Sequence, residues 1–305
     1  MAMIFSLNAT PQNTSTTAAA GQSYQFWLKE QMVAAGWVVK YSFIGSGSYS
    51  ATDQWTSYST IAAWSWIILE SPAGIITGGS GKVWIVIHSN ATVGTAPGIK
   101  ASTVLPTGYS SIPGTIPSAT NELAVNAVGT ALIGASVIKF NFVAWSNGCF
   151  WSGVSVSGLG YLSTFVAVYP ISDINYSYPY AIGFKAAYLI TRWSDAIFDA
   201  AKCWNYDGTA SSGGMRARLM TGIAGATGTG LGATGDLQGN HLSSNVYMFN
   251  DTAASNQLVG KLGAETYDFG VTGCTALTNG TQDGNTIKRI LYGGCWLPAN
   301  AVITS

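Results

Sequence analysis

Apolar positions along this chain recur with two periods, and the change from one to the other predicts its elements. Tyr24, Trp27, Leu28 and Met32 lie three or four residues apart, the spacing that lays one apolar stripe along a helix. Ser23 is the expected N-cap, because its hydroxyl accepts from amides that have no partner inside the helix. Gly36 is the expected stop, because glycine enters left-handed backbone without steric cost. From Trp37 the period falls to two: Trp37, Val39, Tyr41 and Phe43 alternate with other residues, as strand positions do. The segments Trp64–Glu70 and Lys82–His88 flank the glycine-rich turn GIITGGSG and read as a β-hairpin.

Further strands are expected at Ile99–Val104, Lys139–Trp145, Cys149–Val156 and Tyr161–Tyr169, with Ser146–Gly148 as the turn of a second hairpin. Strands that arrive in adjacent pairs, without helical patterns between them, imply antiparallel sheets and not βαβ units. A second short helix is expected at Ser194–Trp204, capped by Ser194 with Asp195 near its positive end. Beyond it, Gly208–Gly239 reads as loop or very short strands, followed by strand-like runs at Val246–Phe249, Thr266–Val271 and Thr286–Tyr292. The expected fold class is therefore mainly β: an antiparallel β-sandwich-type core with one N-terminal helix and one short second helix. Residues 1–20 read as a flexible N-terminal arm, 21–175 as a helix plus antiparallel β domain, and 176–305 as a second, Gly-rich β-containing region with a soft boundary.

Composition narrows the function. Charged residues are 9% of the chain, with 13 basic against 13 acidic side chains, where an ordinary soluble domain has roughly 25%. A nucleic-acid partner would require a basic excess to displace phosphate counterions, so none is expected. Forty-eight per cent hydrophobic residues, with 11 Trp, 15 Tyr and 11 Phe, exclude a disordered chain. The greasiest run, Ile61–Leu69, is far shorter than the roughly 18 apolar residues of a membrane-spanning helix, so no membrane partner is expected. A neutral surface has little charge repulsion to keep copies apart, and a homo-oligomer is the expected state. The N-terminus lacks the charged start and long apolar core of a secretory signal, so synthesis in a cytoplasm is expected. Cys149, Cys203, Cys274 and Cys295 contain no CxxC pair and read as buried apolar groups, with one late disulfide as the alternative.

Candidate chemistry is sparse. Gly230-Leu-Gly232-Ala-Thr-Gly235 matches the dinucleotide GxGxxG, but 37 glycines in 305 residues give about 0.5 such matches by chance. It also lacks the apolar strand before it and the helix after it that would aim amides at a pyrophosphate. Gly81-Lys82 lacks the rest of a P-loop, and no GxSxG occurs. His88 and His241 stand far apart with no HExxH, so neither a triad nor a metal site is implied. Asp195 and Asp199, four apart on the expected helix, would be the carboxylate pair if the chain hydrolysed polysaccharide. Arg216 and Arg218 would share one side of a strand and, with Tyr24 and Trp27 on the first helix, form the candidate interface. No catalytic, cofactor-binding or metal-ligating residue is assigned, and no cofactor is expected.

Several segments taken together carry a resemblance. Phe5-Ser-Leu-Asn-Ala-Thr10 precedes a helix with Phe26-Trp-Leu-Lys29 and the ending Ala34-Ala-Gly-Trp-Val-Val39. Trp66-Ile-Ile-Leu-Glu-Ser-Pro72, Ile99-Lys-Ala-Ser102 and Pro117-Ser-Ala-Thr-Asn-Glu122 follow. In this order, over roughly residues 1–190, the chain resembles virion structural proteins of tailed bacteriophages and prophages. The resemblance implies a structural particle component with no catalytic residues, made in the host cytoplasm and located in the virion. Its partners would be copies of itself and other phage structural proteins, in the tail, collar or baseplate or on the capsid surface. Two alternatives come from the residues themselves: a carbohydrate-binding adhesin whose aromatics read a host surface glycan, and a polysaccharide depolymerase.

Overall fold

The computed structural model describes residues 17–92 and 98–126 continuously, together with 3–9, 177–187, 199–210 and the strands named below. Residues 3–9, expected as part of a flexible arm, are strand β1 (Met3–Ala9). Helix α1 (Thr17–Ala34) starts before Ser23, which lies inside it and is buried. The reason is local: Ala18, Ala19 and Ala20 have the composition of a loose tail but the highest helix propensity of any residue. The expected stripe is present, with Tyr24, Leu28 and Met32 all buried. The expected stop is also present. Gly36 takes φ +94°, its amide donates to the Val33 carbonyl at 2.9 Å, and the Trp37 amide donates to the Met32 carbonyl at 3.0 Å. This pair of bonds closes the last helical carbonyls and requires a left-handed residue between them.

Strands β2 (Val38–Phe43), β3 (Trp66–Glu70), β4 (Trp84–His88), β5 (Gly98–Ser102) and β6 (Leu123–Asn126) form a five-stranded antiparallel sheet in sequence order. The hairpin expected from the flanks of GIITGGSG is its β3–β4 pair. Register sorts the side chains into two unlike faces. On one, Ile67 stands opposite Ile87, Leu69 opposite Ile85, Ile87 opposite Ile99, and Ile85 opposite Ala101. On the other, Phe43 stands opposite Trp66, Ile68 opposite Val86, and Glu70 opposite Trp84. Trp66, Ile67, Ile68 and Leu69 are all fully inaccessible. An unbroken apolar strand of this kind is stable only when both faces of its sheet are covered. The second face is covered in part by Leu105, Tyr109 and Ile116, which pack on Phe43, Trp66, Ile68, Trp84 and Val86.

The second half adds β7 (Ile138–Trp145), β8 (Phe150–Val156), β9 (Gly160–Val166), β10 (Val168–Tyr169), β11 (Ala181–Ala187) and β12 (Asp199–Cys203). A six-stranded sheet runs β1-β7-β8-β9-β11-β12, so β9 and β11, on either side of residue 175, are paired neighbours. Residues 199–203 are a strand where a second helix was expected, and Trp204 forms an isolated bridge to Ala210. The cause is pairing: β11 supplies an open edge that takes up Asp199–Cys203, which overrides a weak local helix signal. The remainder of the expected helix, 194–198, lies outside the described residues. Beyond it lie β13 (Met215–Leu219), β14 (Leu242–Ser244), β15 (Val246–Asn250), β16 (Gln257–Leu262), β17 (Thr266–Phe269), β18 (Arg289–Tyr292) and β19 (Cys295–Pro298). They form two four-stranded sheets, β10-β16-β15-β13 and β14-β17-β19-β18.

Among the described residues, helix α1 and the five-stranded sheet meet the six-stranded sheet at several places. The Trp27 ring of α1 meets Phe142 of β7 edge-on at 6.1 Å between centroids. Strand β6 lies beside β11 and β12, and the Trp204 indole N–H donates to the Asn121 carbonyl at 2.7 Å. The amides of Thr77 and Gly78 both donate to the Ser177 carbonyl, at 3.1 and 2.7 Å. This last contact brings the Tyr178 ring so close that a Cβ on Gly78 would stand 2.4 Å from its Cζ, and one on Gly208 would stand 2.8 Å from the same atom.

Gly78→Ala therefore forces the Tyr178 ring to move, and we expect a loss of about 1–3 kcal/mol, typical of an overpacked contact. The urea midpoint measures it. The double variant Gly78→Ala/Tyr178→Ala should lose less than the sum of the single variants, because the clash disappears with the ring.

Candidate functional site

Two loops beside the aromatic face of the five-stranded sheet are each closed by a pair of backbone hydrogen bonds. Ser42 and Ser50 exchange theirs at 2.8 and 2.9 Å, and Thr107 and Ser118 theirs at 2.9 and 3.1 Å. Side chains tighten the first loop further. The Ser42 hydroxyl donates to the Thr52 carbonyl at 2.7 Å and accepts from the Gln54 amide at 2.8 Å, and the Gln54 side-chain amide donates to the Ser48 carbonyl at 3.0 Å. One direct bond links the two loops, from the Tyr49 amide to the Ser111 hydroxyl at 3.2 Å.

These loops and the neighbouring strand β2 present three tyrosines above a buried tryptophan. Tyr109 stacks on Trp66 with centroids 6.2 Å apart and planes 28° from parallel, and Tyr49 lies 6.2 Å from the same indole. Tyr41, from β2, is 4.3 Å from Tyr109 and 6.3 Å from Tyr49. Trp66 is fully buried, Tyr41 and Tyr109 are half-buried, and Tyr49 is 39% exposed. Ile112 and Val104, on the Tyr109 loop, are exposed. Burial pushes the Tyr109 phenol above its ordinary pKa, and the neighbouring phenols of Tyr41 and Tyr49 push it the same way. Neither 44–52 nor 103–118 contains an Asp, Glu, Lys or Arg. The arrangement is an uncharged aromatic platform with hydroxyls around it.

The buried ionisable groups serve the fold. The Lys29 ammonium has three protons and three acceptors: the Glu30 carboxylate, Asp53 Oδ2 at 2.7 Å and the Trp55 carbonyl at 2.9 Å. Its Nζ also lies 4.6 Å from the Phe26 centroid. Burial alone would raise the Glu70 carboxyl, but its bond to Lys82 at 2.6 Å and the charges of Lys40 and Lys82 hold it below the usual range. His88 stands directly opposite Gly98 in the register, and a Cβ on Gly98 would come within 2.1 Å of its Nε2. The imidazole thus occupies the space of the missing side chain. Burial lowers its pKa to about 4, the Ser89 carbonyl opposing and the Lys100 charge assisting. It is a neutral structural group at pH 7. Burial likewise pushes the Cys203 thiol up to about 12, so it is not a ready nucleophile.

Tyr24 is fully buried within its own chain and is core, not interface, because the stripe it belongs to faces inward. Trp27 is half-buried against Phe142. Arg216 and Arg218 lie in β13, opposite Phe249 and Tyr247 of β15. Asp199 begins β12 and pairs with Phe184, so it has no helical face to share with Asp195, which lies outside the described residues. His241, Gly230–Gly235, Cys149 and Cys274 also lie outside them; Cys295 begins β19. Among the described residues no group of three His, Cys, Asp or Glu side chains is placed to hold a metal, and no helix is long and apolar enough to cross a membrane. The three tyrosines were not singled out from sequence as a group, although Tyr49 and Tyr109 each sit among Gly and Ser in charge-free loops. Compared with known proteins, the chain matches no family model, and the search of curated proteins gives no match.

The His88 environment gives a pH dependence. The folded protein holds His88 neutral down to about pH 4, whereas in the unfolded chain it takes a proton near 6.5. Between these values the unfolded state binds more protons, so stability is full above pH 6.5 and falls as pH drops toward 4. We expect a loss on the order of 3 kcal/mol over that window, followed below it by the loss of the Glu70 contribution. Unfolding titrations at fixed pH values check this, and His88→Gln should flatten the curve between pH 6.5 and 4.

Proposed function

We propose that this protein is a non-enzymatic structural component of a tailed bacteriophage particle, assembling as a symmetric homo-oligomer in the tail, collar or baseplate or on the capsid surface. The resemblance over residues 1–190 supports the particle assignment. A formal net charge of zero supports close packing against further copies, because no repulsion between like surfaces has to be overcome. The observation that carries the assembly is the edge of the five-stranded sheet. Strand β2 is its outermost strand, and Val38 at the start of that edge is 55% exposed. Val33, five residues earlier across the Gly36 turn, is 41% exposed. Monomeric proteins usually protect such an edge with charge, proline or a bulge. Strand β2 has such protection in its middle, with Lys40 and an irregularity between Val39 and Tyr41, yet Val38 at its start and Val33 near the end of α1 remain exposed.

The mass of the purified full-length chain tests this reading by size-exclusion chromatography with light scattering. The expected result is one discrete multiple of 31.8 kDa, appearing as closed rings or collars in negative-stain images. Val38→Lys places a charge at the same edge position in every copy and should shift the mass toward monomer without lowering the unfolding free energy by more than about 0.5 kcal/mol. A monomer at all concentrations would overturn the self-assembling reading.

A further inference from the structure

We propose that the platform formed by Tyr41, Tyr49 and Tyr109 over Trp66 is a binding site for the sugar rings of an uncharged oligosaccharide. The inference goes beyond assembly and does not rest on it: a monomer that binds sugar through Tyr49 would leave it standing.

Three observations lead to this ligand class. The first is shape and exposure. The C–H face of a pyranose is a flat apolar surface of about the size of one aromatic ring, and it buries best against a ring held still with one side open. Tyr49 is the candidate for that role, being 39% exposed and packed against Trp66 and Tyr109 at 6.2 and 5.7 Å. The second is polarity. Tyrosine combines an apolar body with a hydroxyl at its tip, and Ser48, Ser110 and Ser111 surround these rings in the sequence of the two loops. Donors and acceptors at the rim of an apolar platform match the alternation of C–H faces and equatorial hydroxyls on a sugar. The third is charge. The two loops carry no Asp, Glu, Lys, Arg or His, so no cationic side chain in them would attract a phosphate, sulfate or carboxylate, and an anionic polymer is the poorer fit.

The platform is also set before any ligand arrives. Both loops are closed by two-bond bridges, the first is laced through the Ser42 hydroxyl and Gln54, and the Tyr49 amide is bonded across to Ser111. Ordering a loop on binding subtracts from affinity, and here that cost has been met during folding. A buried tryptophan beneath the rings serves the same end, because it fixes Tyr49 and Tyr109 by packing and leaves them little freedom to lose.

The test uses the full-length chain and four soluble neutral hexasaccharides, maltohexaose, cellohexaose, laminarihexaose and mannohexaose, with dextran sulfate as the anionic comparison. Saturation-transfer NMR reads which sugar protons touch the protein, and calorimetry gives the affinity. At least one neutral hexasaccharide should bind, with saturation concentrated on ring C–H protons and with affinity little changed between about 50 and 500 mM salt. Tyr49→Ala should weaken binding at least about tenfold, while Tyr49→Phe, which keeps the ring, should stay within a few-fold of wild type. An unchanged melting midpoint shows that Tyr49→Ala is folded; if it is not, Tyr49→Phe and Tyr49→Ser provide the same ring-present and ring-absent comparison. Binding of dextran sulfate alone, binding of no neutral hexasaccharide, or binding indifferent to the loss of the Tyr49 ring would overturn the proposal. So would a fall in oligomer mass in Tyr49→Ala, which would make the platform a contact between copies.

Discussion

Everything described in this protein depends on a sheet with no free face. In most antiparallel sheets one side meets the core and the other meets water, and the strands alternate accordingly. Strands β3 and β4 do not alternate. Trp66–Leu69 and Ile85–Ile87 are apolar at every position and buried at every position. Such a sheet is unstable until something covers both sides, and the surrounding chain does so with elements of different character. One face is aliphatic and closed. The other is aromatic, and part of its cover consists of loops whose tyrosines reach the surface. The platform is thus a by-product of covering the sheet: Tyr49, which packs on the fully buried Trp66, is itself 39% exposed.

Covering both faces also leaves ionisable groups inside, and Lys29, His88 and Glu70 are each accommodated by a specific arrangement. Three acceptors meet the three protons of the buried Lys29 ammonium, which is the condition under which a buried ammonium is tolerated. His88 is accommodated by the opposite route, losing its charge and filling the space beside Gly98. Glu70 sits where the sheet approaches solvent and is held ionised by Lys82 and Lys40. Within residues 17–92 and 98–126 every Lys, Asp and Glu side chain takes part in an ion pair. That leaves the tyrosine loops uncharged and suits the molecule to contacts made by shape and apolar area.

The glycine-rich character of the chain acquires a physical meaning at particular places. Gly36 supplies the left-handed residue that ends α1, Gly98 leaves room for an imidazole, and Gly78 and Gly208 leave room for Tyr178. In the last two cases glycine lets one part of the chain approach another closely enough for a large ring to seat without displacing backbone. Trp204, bonded to Asn121, and Trp27, against Phe142, hold the same two regions together by other means. Aromatic side chains do most of the joining between sheets, and small residues make room for them.

The sequence by itself determined the elements whose signal is local. The stripe Tyr24, Leu28, Met32, the stop at Gly36, the β3–β4 hairpin and the antiparallel, mainly β character were all legible, because period and turn chemistry act within a few residues. The start of α1 at Thr17 is not legible, since an alanine run reads equally as tail or helix until something packs against it. Tertiary structure alone decided that Met3–Ala9 pairs with β7 and that Asp199–Cys203 joins β11 as a strand. Strand pairing is between segments distant in sequence and leaves no periodic trace in either one. The same holds for the platform: Tyr41, Tyr49 and Tyr109 span 68 positions, each unremarkable in its own loop or strand. They become a site only because the sheet brings β2 and two bridge-closed loops over the same buried tryptophan.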